Sequence, residues 1–270
     1  MKFVRKIMAA VAVAALAVSL AACSSEDTFN IGIKYDQPGL GMKEGADYTG
    51  FDVAVARYVA QGLGYSEDQI RFIESPSANR ENMIEAGQVD LIFATYSITD
   101  SRKERVSFAG PYLIAGQDLL VRTEDTDIVG PESLSAGRKL CSVTGSTPAQ
   151  RVKDEYAQDV ELQEYTSYSQ CVEALLSGNV DAVTTDDIIL AGYAALPQHE
   201  GKLKVVGQPF SEERYGVGLK KGDVELCTKV NELLQAMIDD GSWEKALQDN
   251  VGASGYRPSE GNPPELDACA

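Results

Sequence analysis

The sequence predicts an α/β protein of two similar lobes, each built on a mainly parallel sheet with flanking helices. Three observations carry this. Strand-like and helix-like segments alternate along most of the chain, a pattern that gives parallel sheets with right-handed crossovers. The phrases EAGQVDLIFAT (85–95) and LLSGNVDAVTT (175–185) repeat one device: a helix end, glycine, Val-Asp, an apolar strand and hydroxyls. The length allows one large domain or two of roughly 100–150 residues.

In order, FNIGIKY (29–35) alternates apolar residues and reads as a strand. GFDVAVARYVAQGLG (50–64) places Phe51, Val55, Tyr58 and Val59 on one face and ends in glycines, so it reads as an amphipathic helix. A strand at 69–75, a helix at 79–88 and a strand at 89–94 follow. The pattern then recurs: strand 138–143, a helix from Pro148 to about Gln158, strand 160–165, helix 168–178 and strand 180–185. An extended run covers 207–220, and helices in which Trp243 and Leu247 pack follow it. The last twenty residues, rich in Gly, Pro and Ser, are expected to wrap the surface, pinned by Cys269. In open α/β sheets ligands bind outside the carboxyl ends of strands. The hydroxyls and guanidinium of Thr95, Ser97 and Arg102 fall at such an end.

The N-terminus carries Lys2, Arg5 and Lys6, then an apolar run from Ile7 to Ala22. That is the pattern of a secretory signal peptide (1–22), too short for a membrane span. Leu20-Ala21-Ala22-Cys23 resembles a lipobox, which implies that Cys23 is lipidated, with 23–28 as a tether. No later segment reaches ~18 consecutive apolar residues. The sequence has 24 basic and 41 acidic residues; without the three basic residues of 1–22 the net charge is −20. Such a chain has nothing to neutralise phosphates, so nucleic acid is excluded as a partner. The remaining cysteines, Cys141, Cys171, Cys227 and Cys269, suit disulfides in an exported chain, in any of three connectivities. Without a Cys-x-x-Cys, a Gly-x-Ser-x-Gly, a His-Glu-x-x-His or a phosphate loop, no metal, cofactor or catalytic constellation is expected. The single histidine, His199, sits in the loop-like LPQHEGK and is expected to be exposed.

The lipobox, GFDVAVARYVAQGLG, GQVDLIFATYSITDSRKERVSFAGPY (87–112) and GNVDAVTTDDIILAGY (178–193) together resemble the family 3 solute-binding proteins of amino-acid ABC importers. The likeness runs from about 29 to 250, and PSANR (76–80) and TTDDIILAGY (184–193) look most like the glutamate- and aspartate-binding members. The resemblance implies a two-lobe periplasmic-binding-protein-like fold joined by two crossover strands near 112–118 and 207–215. Lobe 1 would be 29–117 and 209–250, lobe 2 118–208, and 251–270 a C-terminal tail. The pairs Cys141–Cys171 and Cys227–Cys269 then each stay within one lobe. The implied protein is a monomer, exported and lipid-anchored to the outer face of the cytoplasmic membrane. It would capture glutamate, or aspartate, and deliver it to membrane permease subunits. A sensor domain that presents an amino acid to a receptor, or an enzyme on the same fold, are the alternatives.

Carried over residue by residue, Arg102 matches the position that grips the ligand's α-carboxylate, where a guanidinium fork fits bidentately. Thr95 and Ser97 match contacts to the α-amino and α-carboxylate groups, and Asp186 matches the partner of the α-ammonium. Ser146 and Thr147 open the helix that starts at Pro148, whose free N–H groups favour an anion; the register of neighbouring Thr144 is ambiguous. Ser77, Arg80 and Lys34 match positions that reach a distal carboxylate. Lys34, Arg80 and Arg102 against Asp186 give the site a count of +2. Asp52 reads as a helix start and Asp187 as a helix N-cap. Tyr35 and Tyr96 fit either the cleft or the core.

Overall fold

Chain order builds one sheet, leaves it for a second, and returns to the first. The computed structural model describes residues 28–135, 137–155 and 160–270. The expected signal peptide (1–22) and Cys23 lie outside the described residues. The first passage contains β1 (Phe29–Ile33), the short strands β2 (Asp36–Gln37), β3 (Gly41–Glu44) and β4 (Asp47–Thr49), then α1 (Phe51–Gly62) and β5 (Ile70–Glu74). It continues through α2 (Arg80–Glu85), β6 (Leu91–Phe93), α3 (Asp100–Lys103) and β7 (Val106–Ala115). The second contains β8 (Gln117–Arg122), β9 (Lys139–Val143), α4 (Pro148–Glu155), β10 (Glu161–Tyr165), α5 (Tyr168–Leu176), β11 (Ala182–Asp186), α6 (Asp187–Ala194) and β12 (Leu203–Val205). The return adds β13 (Glu213–Lys220), α7 (Val224–Asp239) and α8 (Ser242–Val251).

The first sheet has the order β5-β1-β6-β13-β7 and the second β10-β9-β11-β8-β12. Each is parallel where βαβ units build it, at β5-β1-β6 and at β10-β9-β11. Each becomes antiparallel where the strands nearest the crossovers join. The strands β1, β6, β9 and β11 are buried almost throughout, as parallel strands covered on both faces are, while β5 and β10 at the sheet edges stay partly exposed.

α1 follows its sequence pattern: Phe51, Val55 and Val59 are fully buried, while Tyr58 only half-packs and donates its hydroxyl to Asp240 at 2.7 Å. Trp243 and Leu247 pack as expected, and the indole N–H donates to the Tyr112 carbonyl at 2.7 Å. The helix predicted over 79–88 is shorter, because Ser77–Asn79 forms a 3-10 turn before it. The antiparallel β2-β3-β4 sheet was not expected; its strands of two to four residues are too short for periodicity to show.

Both disulfides pair within a sheet's own unit, Cys141–Cys171 and Cys227–Cys269. The first ties α5 to β9, the second ties the tail to α7. The tail lies along the edge strand β7. Asn262 accepts the Ile114 N–H at 2.9 Å and donates to the Ile114 carbonyl at 2.7 Å. The Asp267 N–H donates to the Gly110 carbonyl at 2.7 Å. Covering an edge strand in this way removes a template for intermolecular pairing.

Candidate functional site

Between the two sheets lies a cleft lined by Ser77, Arg80, Thr95, Ser97 and Arg102 from one lobe and Ser146, Thr147 and Asp186 from the other. Eight of the nine predicted ligand residues therefore meet there. The ninth, Lys34, stands behind Ser77 and donates to its Oγ at 2.8 Å. Pro148, Tyr168, Thr185 and Ile189 complete the wall. The cavity is about 20 Å³, room for a water or two. The lobes touch across it: Arg102 Nη2 donates to the Gly145 carbonyl at 3.3 Å, and the Ser169 N–H donates to Asp36 Oδ2 at 3.2 Å.

On the first lobe, β6 delivers Ala94 and Thr95 to the carboxyl edge of the sheet. Thr95 holds φ at 45°, the left-handed region that a β-branched residue adopts only at a cost. The fully buried Asp52 carboxylate fixes it there, accepting the Thr95 N–H at 2.9 Å and the Tyr112 hydroxyl at 2.8 Å. Burial pushes Asp52 up to about 6, against the opposing effect of those two bonds. Asp52 thus does more than start a helix. Thr95 Oγ1 donates to the Ala94 carbonyl at 2.8 Å.

Three cations converge on this lobe. Arg102 is anchored by donation to the Ser97 carbonyl at 2.8 Å and by an ion pair with Glu81, Nε to Oε1 3.4 Å. Arg80 is 2% exposed; it donates to the Ala94 carbonyl at 2.9 Å, and its Nε finds no partner among the described residues. The Tyr96 ring lies beneath both, 4.1 Å from the Arg80 guanidinium carbon and 5.0 Å from that of Arg102. Such cation–π contacts suit desolvated arginines. Tyr96 is therefore a buried support, while Tyr35 packs against Tyr48 and donates to the Phe72 carbonyl. Burial, and then the Arg80 charge, brings Lys34 down to about 7. Burial, and then Arg102, brings Arg80 down to about 10. Among the described residues no carboxylate comes within 4.0 Å of the Lys34 ammonium or the Arg80 guanidinium.

On the second lobe, Asp186 ends β11 and occupies the N-cap position of α6 without bonding the helix. Its Oδ2 accepts the Tyr215 hydroxyl, and its Oδ1 has no partner among the described residues. Burial, then the charge of Glu213, raises its pKa well above the carboxylate range. Asp187, expected as the cap, is the first helical residue and accepts the Gly116 N–H at 3.2 Å, at the crossover. Ser146 shares a hydroxyl contact with Ser142 at 3.1 Å, and Thr144 points outward, exposed. His199 is half-buried rather than exposed, with Nδ1 2.9 Å from the Tyr193 carbonyl.

Sequence reasoning missed Glu81 and the structural part played by Asp52, so its count of +2 is not the charge of the site: Asp52, Glu81, Asp36 and Glu74 also act on its cations. Glu81 pairs with Arg102 and Asp52 holds Thr95, while among the described residues acids act on Lys34 and Arg80 only from beyond 4.0 Å. Both missed acids sit in the first turn of a helix, where an acid is already explained by the helix dipole.

Residues 29–253 match the bacterial extracellular solute-binding proteins, family 3. The chain belongs to this family. It is 49% identical over 247 residues to the glutamate-binding protein GluB of Corynebacterium glutamicum, covering 88% of this chain and 83% of that one. It is 34% identical over 229 residues to the ABC transporter glutamine-binding protein GlnH of Bacillus subtilis, covering 84% and 82%. Among solved structures, an ancestral arginine-binding protein bound to glutamine matches at a TM-score of 0.77 and 32% identity, covering 84% of this chain and 98% of that one. The family fold is the two-lobe arrangement described above, with the cleft between its lobes.

Proposed function

We propose that the protein is a lipid-anchored extracellular receptor that captures an acidic amino acid, glutamate before aspartate, and hands it to the permease of an ABC importer. One observation carries the choice of ligand: Lys34 and Arg80 are buried side by side with no carboxylate partner among the described residues. A buried cation without a counter-ion is costly, and a ligand that brings the missing carboxylate removes the cost. Similarity to a relative named for glutamate supports the same reading.

The ligand's α-carboxylate is assigned to Arg102, helped by Thr95, Ser97, Ser146 and Thr147. Its α-ammonium is assigned to the unpartnered Oδ1 of Asp186, and its distal carboxylate to Arg80, Ser77 and, behind it, Lys34. The lobes, 29–117 with 209–250 and 118–208, swing about the two crossovers; a 20 Å³ cavity admits an amino acid only if they part. No turnover accompanies capture. Cys23, lipidated, holds the protein at the outer face of the cytoplasmic membrane.

Calorimetric titration of the lipid-free protein with glutamate, aspartate, glutamine and asparagine tests this. Glutamate should bind tightest and be recovered unchanged. Preference for glutamine, or an altered ligand after incubation, would refute it.

A further inference from the structure

Beside the second lobe's cleft residues stand Arg151 and Glu213, which do not line the cleft. Glu213, at the start of β13, is 2% exposed, and its carboxylate lies close enough to Asp186 to raise it. Two buried carboxylates in one neighbourhood repel each other, and one is driven to hold its proton. Arg151, one turn into α4, answers that charge. It donates to Glu213 Oε1 and, at 3.0 Å, to Gln117 Oε1. Ser211 donates to the same Glu213 oxygen at 3.0 Å. Gln117 in turn donates to the Pro148 carbonyl at 2.7 Å, at the end of α4 that lines the cleft. Gln117 opens β8 and Glu213 opens β13, so the guanidinium grips the chain within each crossover.

We propose that Arg151 is a positioning residue for ligand capture: it ties the cleft end of α4 to both crossovers and screens Asp186 from the charge of Glu213. The proposal rests on the reading that Asp186 holds the ligand's ammonium. The titratable and charged groups that act on Asp186 are Tyr215, which donates to it, and Glu213 on β13, Asp187 on α6, Arg151 on α4, Tyr168 on α5 and Tyr256 from the tail. Glu213 and Asp187 disfavour its anion. Arg151 and the Tyr215 hydroxyl favour it.

Ammonium binding needs the Asp186 anion, so affinity falls as pH drops through the titration of that group. Without Arg151, Glu213 acts on Asp186 unopposed and the fall begins at higher pH. Without Glu213 it begins at lower pH. The experiment is glutamate affinity by calorimetry from pH 4.5 to 8 on wild type, Arg151→Met, Glu213→Gln, the double variant and Asp186→Asn. The ligand's own titration is common to all. A displacement of one pKa unit is about tenfold in affinity along the falling limb. Arg151→Met should therefore bind severalfold weaker than wild type at the same pH along the falling limb, and the double variant should recover most of that loss. A limb in Arg151→Met that overlays wild type, or a double variant as weak as Arg151→Met, overturns the proposal. If Arg151→Met does not fold, Glu213→Gln decides alone: a limb moved to lower pH supports the proposal and an unmoved one overturns it. If Asp186→Asn binds glutamate as wild type does, the underlying assignment falls and the proposal with it. If Asp186→Asn is weak and the limbs coincide, only the proposal falls.

Discussion

Arg80→Met separates the distal charge from everything else the cleft does. The methionine keeps apolar packing over Tyr96 and removes the guanidinium. Burial holds Arg80 down to about 10. At 1.36 kcal/mol per pKa unit, burial and the neighbouring Arg102 charge together cost the ligand-free protein about 3 kcal/mol at this group. A distal carboxylate that pairs with Arg80 relieves a cost of that size. It lies within the ~2–5 kcal/mol lost when one member of a desolvated charge pair is removed. At ~1.4 kcal/mol per decade, glutamate should bind roughly 150-fold weaker to Arg80→Met. Glutamine brings no distal charge, so its affinity should change little or improve. Arg102→Met should weaken both ligands alike, because every amino acid carries the α-carboxylate. Calorimetry with both ligands on both variants reads this as a ratio. Equal losses of glutamate and glutamine in Arg80→Met would show Arg80 to be structural and remove the physical argument for an acidic ligand.

Lys34, at about 7 in the folded protein against an ordinary 10.5, links stability to pH. Below pH 7 folded and unfolded chains both hold the proton and the burial cost is fully present; above it the unfolded chain holds more protons. Ligand-free stability should thus rise from pH 7 to 9 by up to ~1.4 kcal/mol per unit more in wild type than in Lys34→Met, and urea melts with parallel slopes would contradict this. Gly192 lies in α6, and a Cβ there would meet the Pro38 carbonyl oxygen of the other lobe at 2.3 Å. Gly192→Ala should leave the ligand-free protein as stable or slightly more so, since alanine favours a helix by ~1 kcal/mol, yet weaken every amino acid; unchanged affinity would mean that the lobes do not close to this contact. Replacing Cys141 and Cys171 by serine opens a link across 30 residues and should lower stability by roughly 3–4 kcal/mol in the chain-entropy account, read from denaturant midpoints; a loss below ~1 kcal/mol would contradict it.

The sequence carried the parts of this molecule that local rules write. Alternation of strand and helix signals gave two sheets, and the repeated Val-Asp device located β6 and β11. The hydroxyls after β6 led to Thr95, Ser97 and Arg102. Sequence resemblance supplied the pairing of partners from separate lobes, such as Asp186 with Arg102. What stayed hidden depends on tertiary contact. Asp52 and Glu81 look like ordinary first-turn acids, and only the folded chain brings them to Thr95 and Arg102. Arg151 and Glu213 stand 62 positions apart, with nothing in either neighbourhood to link them. Asp186 and Asp187 could not be told apart by type. The helix uses the first as its N-cap in position only, which leaves that carboxylate free to face the cleft.

In the proposed complex an acidic amino acid lies between the lobes with its α-groups on Arg102 and Asp186 and its distal carboxylate toward Arg80 and Lys34. A crystal structure of the protein grown with glutamate tests it most directly. One glutamate should occupy the cleft, its α-carboxylate within hydrogen-bond distance of the Arg102 guanidinium and its ammonium on Asp186 Oδ1. The distal carboxylate should lie against Arg80 and Ser77. A glutamate lying the other way round, with its distal carboxylate on Arg102, or bound outside the cleft, would contradict it.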